Sequence, residues 1–576
     1  MSRFVLQLTP LNKSTSNSQI LMLGDWSKSN NERDATVVEY HWNNRAKLYR
    51  DYKYISSLYE KYLVNVSKAL NDIHGVNHSI EFWRVIVGPW LHYFISIVLD
   101  RYEMISLAAK NYEIRYTRIP IYNSDEWIPI DYIDFNHKYY SDEWNYYLYS
   151  EIVRQNELIK IKKTKFQLLP NQTENKRYSP IKSFLFYLTR LCRWLPRHVT
   201  FVEVDIPQEP LHKLLYKLKD FAFSYYLRIR PDYFKPDPEL RSIFFKYFNE
   251  KDNFESLLNK LIPLNIPISY VEGYRKIEKD SKKIFPKKTK LIITSNAYFS
   301  NEHFKVWAAN QKLNGVKFWV MVHGGHHGTA LFNGPGELTE NIADRFYSWG
   351  WGDYNLPSPK LSLLRKHDIK QDGNTILFLP YNISKYSNHI DSSPIASSFN
   401  DCIKVHGKFF KMLQAHDLRD KVVVRLKSGL DLWDLETEYK KHHVNNFVYS
   451  DQEPVLESIS KSGLVVVTYD STVFLEALTL NVPTCLFIRK DYWEMSEESS
   501  SFFESFLKCG VLHYEEETLV KHILTVQEDY HKWWNSNSVQ SVINSFLSEY
   551  GLSSITWQKD WFDEINSALR DGKSYD

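Results

Sequence analysis

Two hydrophobic rhythms alternate along the chain. Short apolar runs bounded by turn residues mark strands, and apolar positions recurring at three and four mark helices. The first run, residues 19–26, closes on Gly24 and Asp25 and reads as the opening strand of an α/β sheet. Helical spacing then dominates residues 56–155 and 181–261, which predicts helical insertions within this first α/β unit. Strand, helix, strand order returns at 290–294, 302–313 and 316–322, a βαβ unit whose second strand runs into His323-Gly-Gly-His-His-Gly328. After Trp349-Gly-Trp-Gly352 comes a polar stretch with Pro357, Pro359 and residues 366–374, where the domain boundary is expected. Beyond it, strands at 375–379, 421–425, 446–449, 464–467 and 484–488 alternate with helices and predict a second doubly wound domain.

The expected architecture is therefore α/β, with two Rossmann-like domains facing a cleft. Residues 1–355 form the acceptor side, residues 356–552 the nucleotide side, and residues 553–576 a helix packing back on the first domain. At 576 residues the chain is too long for one core, and 43% hydrophobic with 24% charged residues excludes wholesale disorder. A net charge of +3 from interspersed acids and bases gives no reason to expect a nucleic-acid partner.

Cys192, Cys402, Cys485 and Cys509 lie far apart, without zinc-type spacing, as suits a reducing, cytoplasmic setting. Residues 1–19 hold no apolar stretch of signal-peptide length, so export is not expected. Residues 82–99 are apolar, but Arg84, Gly88, Pro89 and His92 interrupt them, and a buried helix pair is expected there.

Ligands in open parallel sheets bind beyond the carboxyl ends of the strands, so the chemistry is sought in the loops there. Thr468-Tyr-Asp-Ser-Thr472 follows one strand and opens a helix that Asp470 or Ser471 should cap. Its amides, with Ser471 and Thr472, suit a diphosphate, and Glu476 one turn further in suits ribose hydroxyls. An ordinary capped helix with a solvated Glu476 would read the same. Arg425 and Lys427 place positive charge at the same sheet edge, as phosphate ligands or as surface charges. No acidic pair stands at a strand end, so neither a metal nor a cofactor is indicated.

In the first domain, Gly324, Gly325 and Gly328 permit close approach to phosphates or an acceptor, and His323 is the favoured acid, base or phosphate donor. His326 and His327 could be loop surface. A base for the acceptor hydroxyl could be Glu337, Glu340, Asp344, Asp25 or Glu81, and the sequence does not choose among them. Two basic features, a helical stripe over 181–197 and the run 275–290 with eight bases against two acids, could meet an anionic membrane or be solvated faces.

Four motifs carry a family resemblance: Phe82-Trp-Arg-Val-Ile-Val-Gly-Pro-Trp90, His323-Gly-Gly-His-His-Gly328, Ala343-Asp-Arg-Phe-Tyr-Ser-Trp-Gly-Trp351 and Tyr469-Asp-Ser-Thr-Val-Phe-Leu-Glu476. Together, across residues 21–493, they resemble transferases of bacterial O-antigen and other surface-polysaccharide loci. The last motif, with Pro483, also resembles the donor domains of capsule and teichoic-acid transferases of GT-B fold. That resemblance implies nucleotide contacts at Ser471, Thr472 and Glu476. Those relatives often carry a His-Pro pair where this chain has Lys427-Ser428, so its donor phosphate contacts should differ. The implied activity is metal-free transfer of a sugar from a nucleotide donor to a surface glycan or its lipid-linked precursor, with peripheral inner-membrane contact. A CDP-polyol phosphotransferase and a non-catalytic assembly scaffold are the alternatives.

Overall fold

The computed structural model describes residues 4–12, 19–28, 35–170, 194, 197–220, 228–249, 253–366, 375–427 and 432–571. Three parallel sheets organise them. The first contains β1 (Phe4–Gln7), β2 (Ile20–Met22), β3 (Thr36–Val37), β4 (Ile114–Ile121) and β5 (Ile161–Gln167), in the order β3-β2-β1-β4-β5. The second sets β6 (Val199–Val202), β7 (Leu291–Thr294), β8 (Lys317–Met321) and β9 (Arg345–Tyr347) side by side in chain order. The third contains β10 (Ile376–Leu379), β11 (Val422–Leu426), β12 (Phe447–Tyr449), β13 (Leu464–Val467), β14 (Thr484–Phe487) and β15 (Leu512–His513), ordered β12-β11-β10-β13-β14-β15. Chain direction across this sheet reverses between β10 and β13, which opens a crevice at their carboxyl ends.

The α/β class and its two Rossmann-like units are as the pattern predicts. One expectation is corrected: the run at 19–26 does not open the sheet of β7 and β8. It belongs to the first sheet, which also takes β4 out of a region whose spacing reads as helix and β5 from the unassigned stretch after it. The reason is visible in β5, an edge strand of sequence IKKTKFQ that is almost wholly exposed. Without a buried face it shows no apolar run, and pairing with β4 alone makes it a strand.

Helices fill the space between the first two sheets. Arg45–His74 starts at Asn44, whose side chain accepts from Lys47 N, and ends at Gly75 in the left-handed region (φ 57°). Ile80–Asn111 is one unbroken helix of 32 residues, not the expected pair, and Pro89 lies inside it. Every residue from 82 to 101 is buried, and that packing outweighs the ~3 kcal/mol an internal proline costs. By length and composition this helix could cross a membrane, yet its apolar window is entirely buried within the protein.

The loop between β10 and the helix Phe399–Ala415 crosses into the N-terminal half. Arg101, fully buried on the Ile80–Asn111 helix, donates to the Ser387 carbonyl at 2.7 Å and pairs with Asp100 at 2.5 Å. Tyr386 donates to Asp142 at 2.6 Å, and Tyr386, Ile390, Ile395 and Ala396 join the N-terminal core. At the chain's end, the helix Trp557–Asp571 lays Trp557, Trp561 and Ile565 against Phe201, Ile293 and Trp319 of the second sheet.

The basic stripe over 181–197, with Cys192, lies outside the described residues except for Trp194 and Arg197. In the run 275–290, Arg275 and Lys282 pair with Glu278, while Lys276 and Lys283 pair with Asp280. Much of its charge is thereby met within the helix Tyr274–Ile284.

Candidate active site

β8 and β13 deliver loops 323–328 and 468–472 to facing sides of one cleft. Gly325 N donates to Thr472 Oγ1 at 3.2 Å. A Cβ on Gly325 would stand 2.9 Å from Leu475 Cδ1 and 3.0 Å from the Ser471 carbonyl carbon, so the approach requires glycine. Thr329 Oγ1 donates to Asp470 Oδ2 at 2.5 Å, and His326 Nδ1 lies 3.8 Å from the same oxygen.

Behind this contact starts the helix Thr472–Thr479. Ser471 takes the N-cap position, as the sequence leads one to expect, but neither its side chain nor that of Asp470 makes a cap bond. Ser471 is extended there, and Asp470 is turned toward Thr329. The positive end of the helix dipole thus faces the cleft without a side-chain acceptor.

Two cavities adjoin there. The first, about 420 Å³, is lined by Lys360, Arg425, Lys427, Ser471, Thr472 and Glu476 among others. Lys360 Nζ lies 2.7 Å from Glu476 Oε1. Burial lifts the Glu476 pKa despite the Lys360 ammonium, and Asp205 adds to the rise. Arg425 donates to the Glu453 carbonyl at 2.6 Å, while its Nε is buried without a hydrogen-bond partner. The space continues past Lys427 into a recess of about 570 Å³ walled by Trp433 and Tyr449.

The second cavity, about 340 Å³, lies on the other side of Ser471 and Thr472 and is lined by His323, His326, His327, His389, Asp391 and several aromatic rings. Burial holds His323 below its ordinary pKa against the pull of Asp205, which keeps the imidazole neutral. Burial also drives His327 down to about 3, helped by His323 and His326. At His326 burial is overcome by Asp470 and Asp391, and its pKa rises. His389 Nε2 lies 3.2 Å from Asp391 Oδ2, and Ser393 donates to Asp391 Oδ1 at 2.5 Å. Despite burial, His389, His326 and Ser393 hold Asp391 well below the usual carboxylate range.

Of the residues singled out from sequence, His323, Gly324, Gly325, Asp470, Ser471 and Thr472 meet at the second cavity, and Arg425, Lys427 and Glu476 meet Ser471 and Thr472 at the first. Gly328 sits under Trp351, where a Cβ would come within 2.6 Å of the ring. Glu337 and Asp25 are brought to neither lining. Glu337 accepts from Tyr52 at 2.8 Å and Ser56 at 2.9 Å, and Asp25 pairs with Lys28. Asp344 pairs with Lys312 at 2.8 Å and Glu81 with Arg84 at 3.1 Å, while Glu340, also outside both linings, has its pKa raised by burial and by Glu337.

Sequence reasoning passed over Lys360, Tyr93, Tyr381, His389, Asp391 and Trp493, all of them cavity residues. Tyr381 could have been found by its place just past β10. The rest stand in a linker, a long loop or a helix interior, where no spacing marks them. Among the described residues, the groups able to hold a metal, Cys485 with His513 and His522, and Glu515 to Glu517, lie outside both linings.

A sequence model described as LIC12162 family transferase matches residues 4–565. No curated protein matches the chain. Among solved structures, a UDP-N-acetylglucosamine 2-epimerase is similar at 14% identity, covering 62% of this chain and 96% of that one, with TM-score 0.31. The α,α-trehalose 6-phosphate synthase of Burkholderia multivorans is similar at 9% identity, over 66% of this chain and 98% of that one, with TM-score 0.37. The glycosyltransferase SnogD of Streptomyces nogalater is similar at 10% identity, over 65% and 99%, with TM-score 0.30.

Proposed function

The chain belongs to the LIC12162 family of transferases, and from that premise we propose that it moves a sugar from a nucleotide-sugar donor to a surface polysaccharide or its lipid-linked precursor. The observation that carries this reading is the convergence of Lys360, Arg425 and Lys427 on a helix N-terminus that no side chain caps. Such a cradle suits a diphosphate and needs no metal to balance it.

In this scheme Ser471, Thr472 and the first-turn amides hold the diphosphate. Glu476 accepts the ribose hydroxyls, and Lys360 turns from Glu476 to the phosphates. The acceptor oxygen bonds to the anomeric carbon as the bond from that carbon to the phosphate oxygen breaks, and its proton passes to neutral His323. The nucleoside diphosphate leaves with the bonding pair, its charge met by the three cations. The rate gain then comes from positioning and preorganised charge. The surface-polysaccharide acceptor is supported by the motif resemblance, and a cytoplasmic setting by the free thiols of Cys402, Cys485 and Cys509.

Thermal-shift measurements with UDP, GDP, dTDP, CDP and CMP test the donor site, since a ligand bound only by the folded chain raises Tm. One nucleotide should raise Tm, Glu476→Ala should remove the rise, and Arg425→Ala should weaken binding at least tenfold. No rise with any nucleotide would leave a non-catalytic scaffold as the better reading. Release of CMP rather than a nucleoside diphosphate on turnover would indicate either polyol-phosphate transfer or a CMP-sugar donor, which the presence or absence of a new phosphodiester in the product separates.

A further inference from the structure

We infer that the second cavity recognises an uncharged carbohydrate ring, which stands beside the phosphates that the neighbouring cavity is proposed to hold. The inference deepens the nucleotide-sugar reading and rests on it for the identity of that neighbour.

Charge is divided sharply between the two cavities. The first gathers Lys360, Arg425 and Lys427. The second, among the described residues, is lined by no lysine or arginine and instead holds the carboxylates Asp391 and Asp470. A phosphate or carboxylate placed there would face two buried anions, offset by the imidazoles of His323, His326, His327 and His389 and by the start of the Thr472–Thr479 helix, with no lysine or arginine among the described lining residues to add to them. A neutral ligand meets no such cost.

What the lining offers is hydroxyl chemistry. Each carboxylate oxygen has two acceptor sites, so Asp391, with one donor on each oxygen, can still accept from a ligand hydroxyl. His389 Nδ1 is buried without a hydrogen-bond partner, and so is His326 Nε2, while His326 Nδ1 stands 3.8 Å from Asp470 Oδ2. A buried polar atom with no partner is costly, and a ligand that supplied one would recover that cost.

The rest of the wall is aromatic. Tyr381 stacks on Tyr469 with ring centres 5.2 Å apart, Trp493 tilts against Tyr381 at 5.7 Å, and Tyr93 stands 5.6 Å from the His389 ring. Flat apolar faces alternating with hydroxyl acceptors match a sugar, whose ring has C–H faces and a hydroxyl rim. At about 340 Å³ the space lies at the small end of ligand pockets, roughly 300–1,000 Å³, which fits one ring and not a polyprenyl tail. Tyr381, Tyr469, Ser471 and Thr472 line both cavities, so a ring here adjoins the diphosphate cradle.

The ring has two sources, the transferred sugar of the donor or the terminal residue of the acceptor. Calorimetry on the full chain with the pairs UDP and UDP-glucose, GDP and GDP-mannose, and dTDP and dTDP-rhamnose addresses the first. Saturation-transfer NMR with methyl glycosides of glucose, galactose, mannose, rhamnose and N-acetylglucosamine addresses the second, and glucose 6-phosphate serves as the anionic comparison.

Either the sugar half of one pair adds at least tenfold to nucleotide affinity, or a methyl glycoside receives saturation. Asp391→Asn and Trp493→Phe should each cut that gain at least tenfold while leaving affinity for the bare nucleotide within twofold. Should Asp391→Asn fail to fold, Trp493→Phe carries the same comparison. Equal affinities within every pair together with no saturation transfer overturn the inference, as does tighter binding of glucose 6-phosphate than of methyl glucoside when a saturating nucleotide already fills the neighbouring cavity. Glycoside binding without any nucleotide binding refutes the donor reading and leaves this one standing.

Discussion

Gly325 shows how closely single residues set the site. Adding a methyl group there drives it into Leu475 and the Ser471 backbone, so Gly325→Ala must part the two loops or shift the start of the helix. Overpacking of this kind costs about 1–3 kcal/mol. Urea unfolding should show that loss, accompanied by weaker nucleotide binding, and an unchanged midpoint would mean that the loops adapt freely. Lys360 acts through charge instead. Lys360→Met leaves Glu476 buried without its cation, which raises the carboxyl pKa further. Nucleotide affinity measured at pH 6 and pH 8 should then fall most at the lower pH, where a protonated Glu476 can no longer accept from two ribose hydroxyls; equal losses at both would separate Glu476 from binding. Residues such as Ser471, Arg425 and His323 are legible in the sequence because their positions follow from a strand end a few residues away. Lys360 and Asp391 are not, because what brings them to the cleft is the packing of a linker and a loop against distant elements.

At the scale of elements, legibility follows burial. β7, β8, β10 and β13 are continuous apolar runs because helices cover both their faces, and each is visible in the sequence to within a residue or so. β5 lacks that signature because it is an exposed edge, and β1, a run of three apolar residues followed by Gln7, is too short to stand out from the polar residues around it, so only β2 of the first sheet is read from the sequence. The closing helix Trp557–Asp571 depends on one anchor. Trp561 is 2% exposed and donates Nε1–H to the Pro357 carbonyl at 3.0 Å. Trp561→Ala should cost about 3–5 kcal/mol in urea unfolding and make residues 553–576 sensitive to protease. Retained stability would show that the helix rests on the sheet without supporting it.

Across the whole molecule the histidines dominate the response to acid. Burial holds His74, His92, His303, His513 and His522 near about 4, and His327 and His406 near about 3. The unfolded chain takes up these protons near pH 6.5 and the native chain does not, so the stability they provide is complete above pH 6.5 and falls as the pH drops toward 4. Each contributes up to about 1.4 kcal/mol per pH unit. Glu476, Glu340, Asp131 and His326, whose pKa values are raised, act in the opposite sense, losing stability as the pH rises above their ordinary values, but they are four groups against seven. The urea midpoint should therefore be markedly lower at pH 5.0 than at pH 7.5, and equal midpoints would show that these rings are hydrated in solution.

The loop that passes from β10 into the N-terminal core bears on how such an enzyme can diversify. Residues 386–396 are encoded after the linker, yet they complete the interior of the half encoded before it. A gene exchange at the linker would look like a clean swap of one specificity module for another. It would in fact deliver a foreign plug to a socket shaped by Arg101 and Asp142, and would carry His389 and Asp391 away from the neighbours that hold them. The two specificities are thus expected to be inherited together, changing by drift within one chain rather than by shuffling between chains.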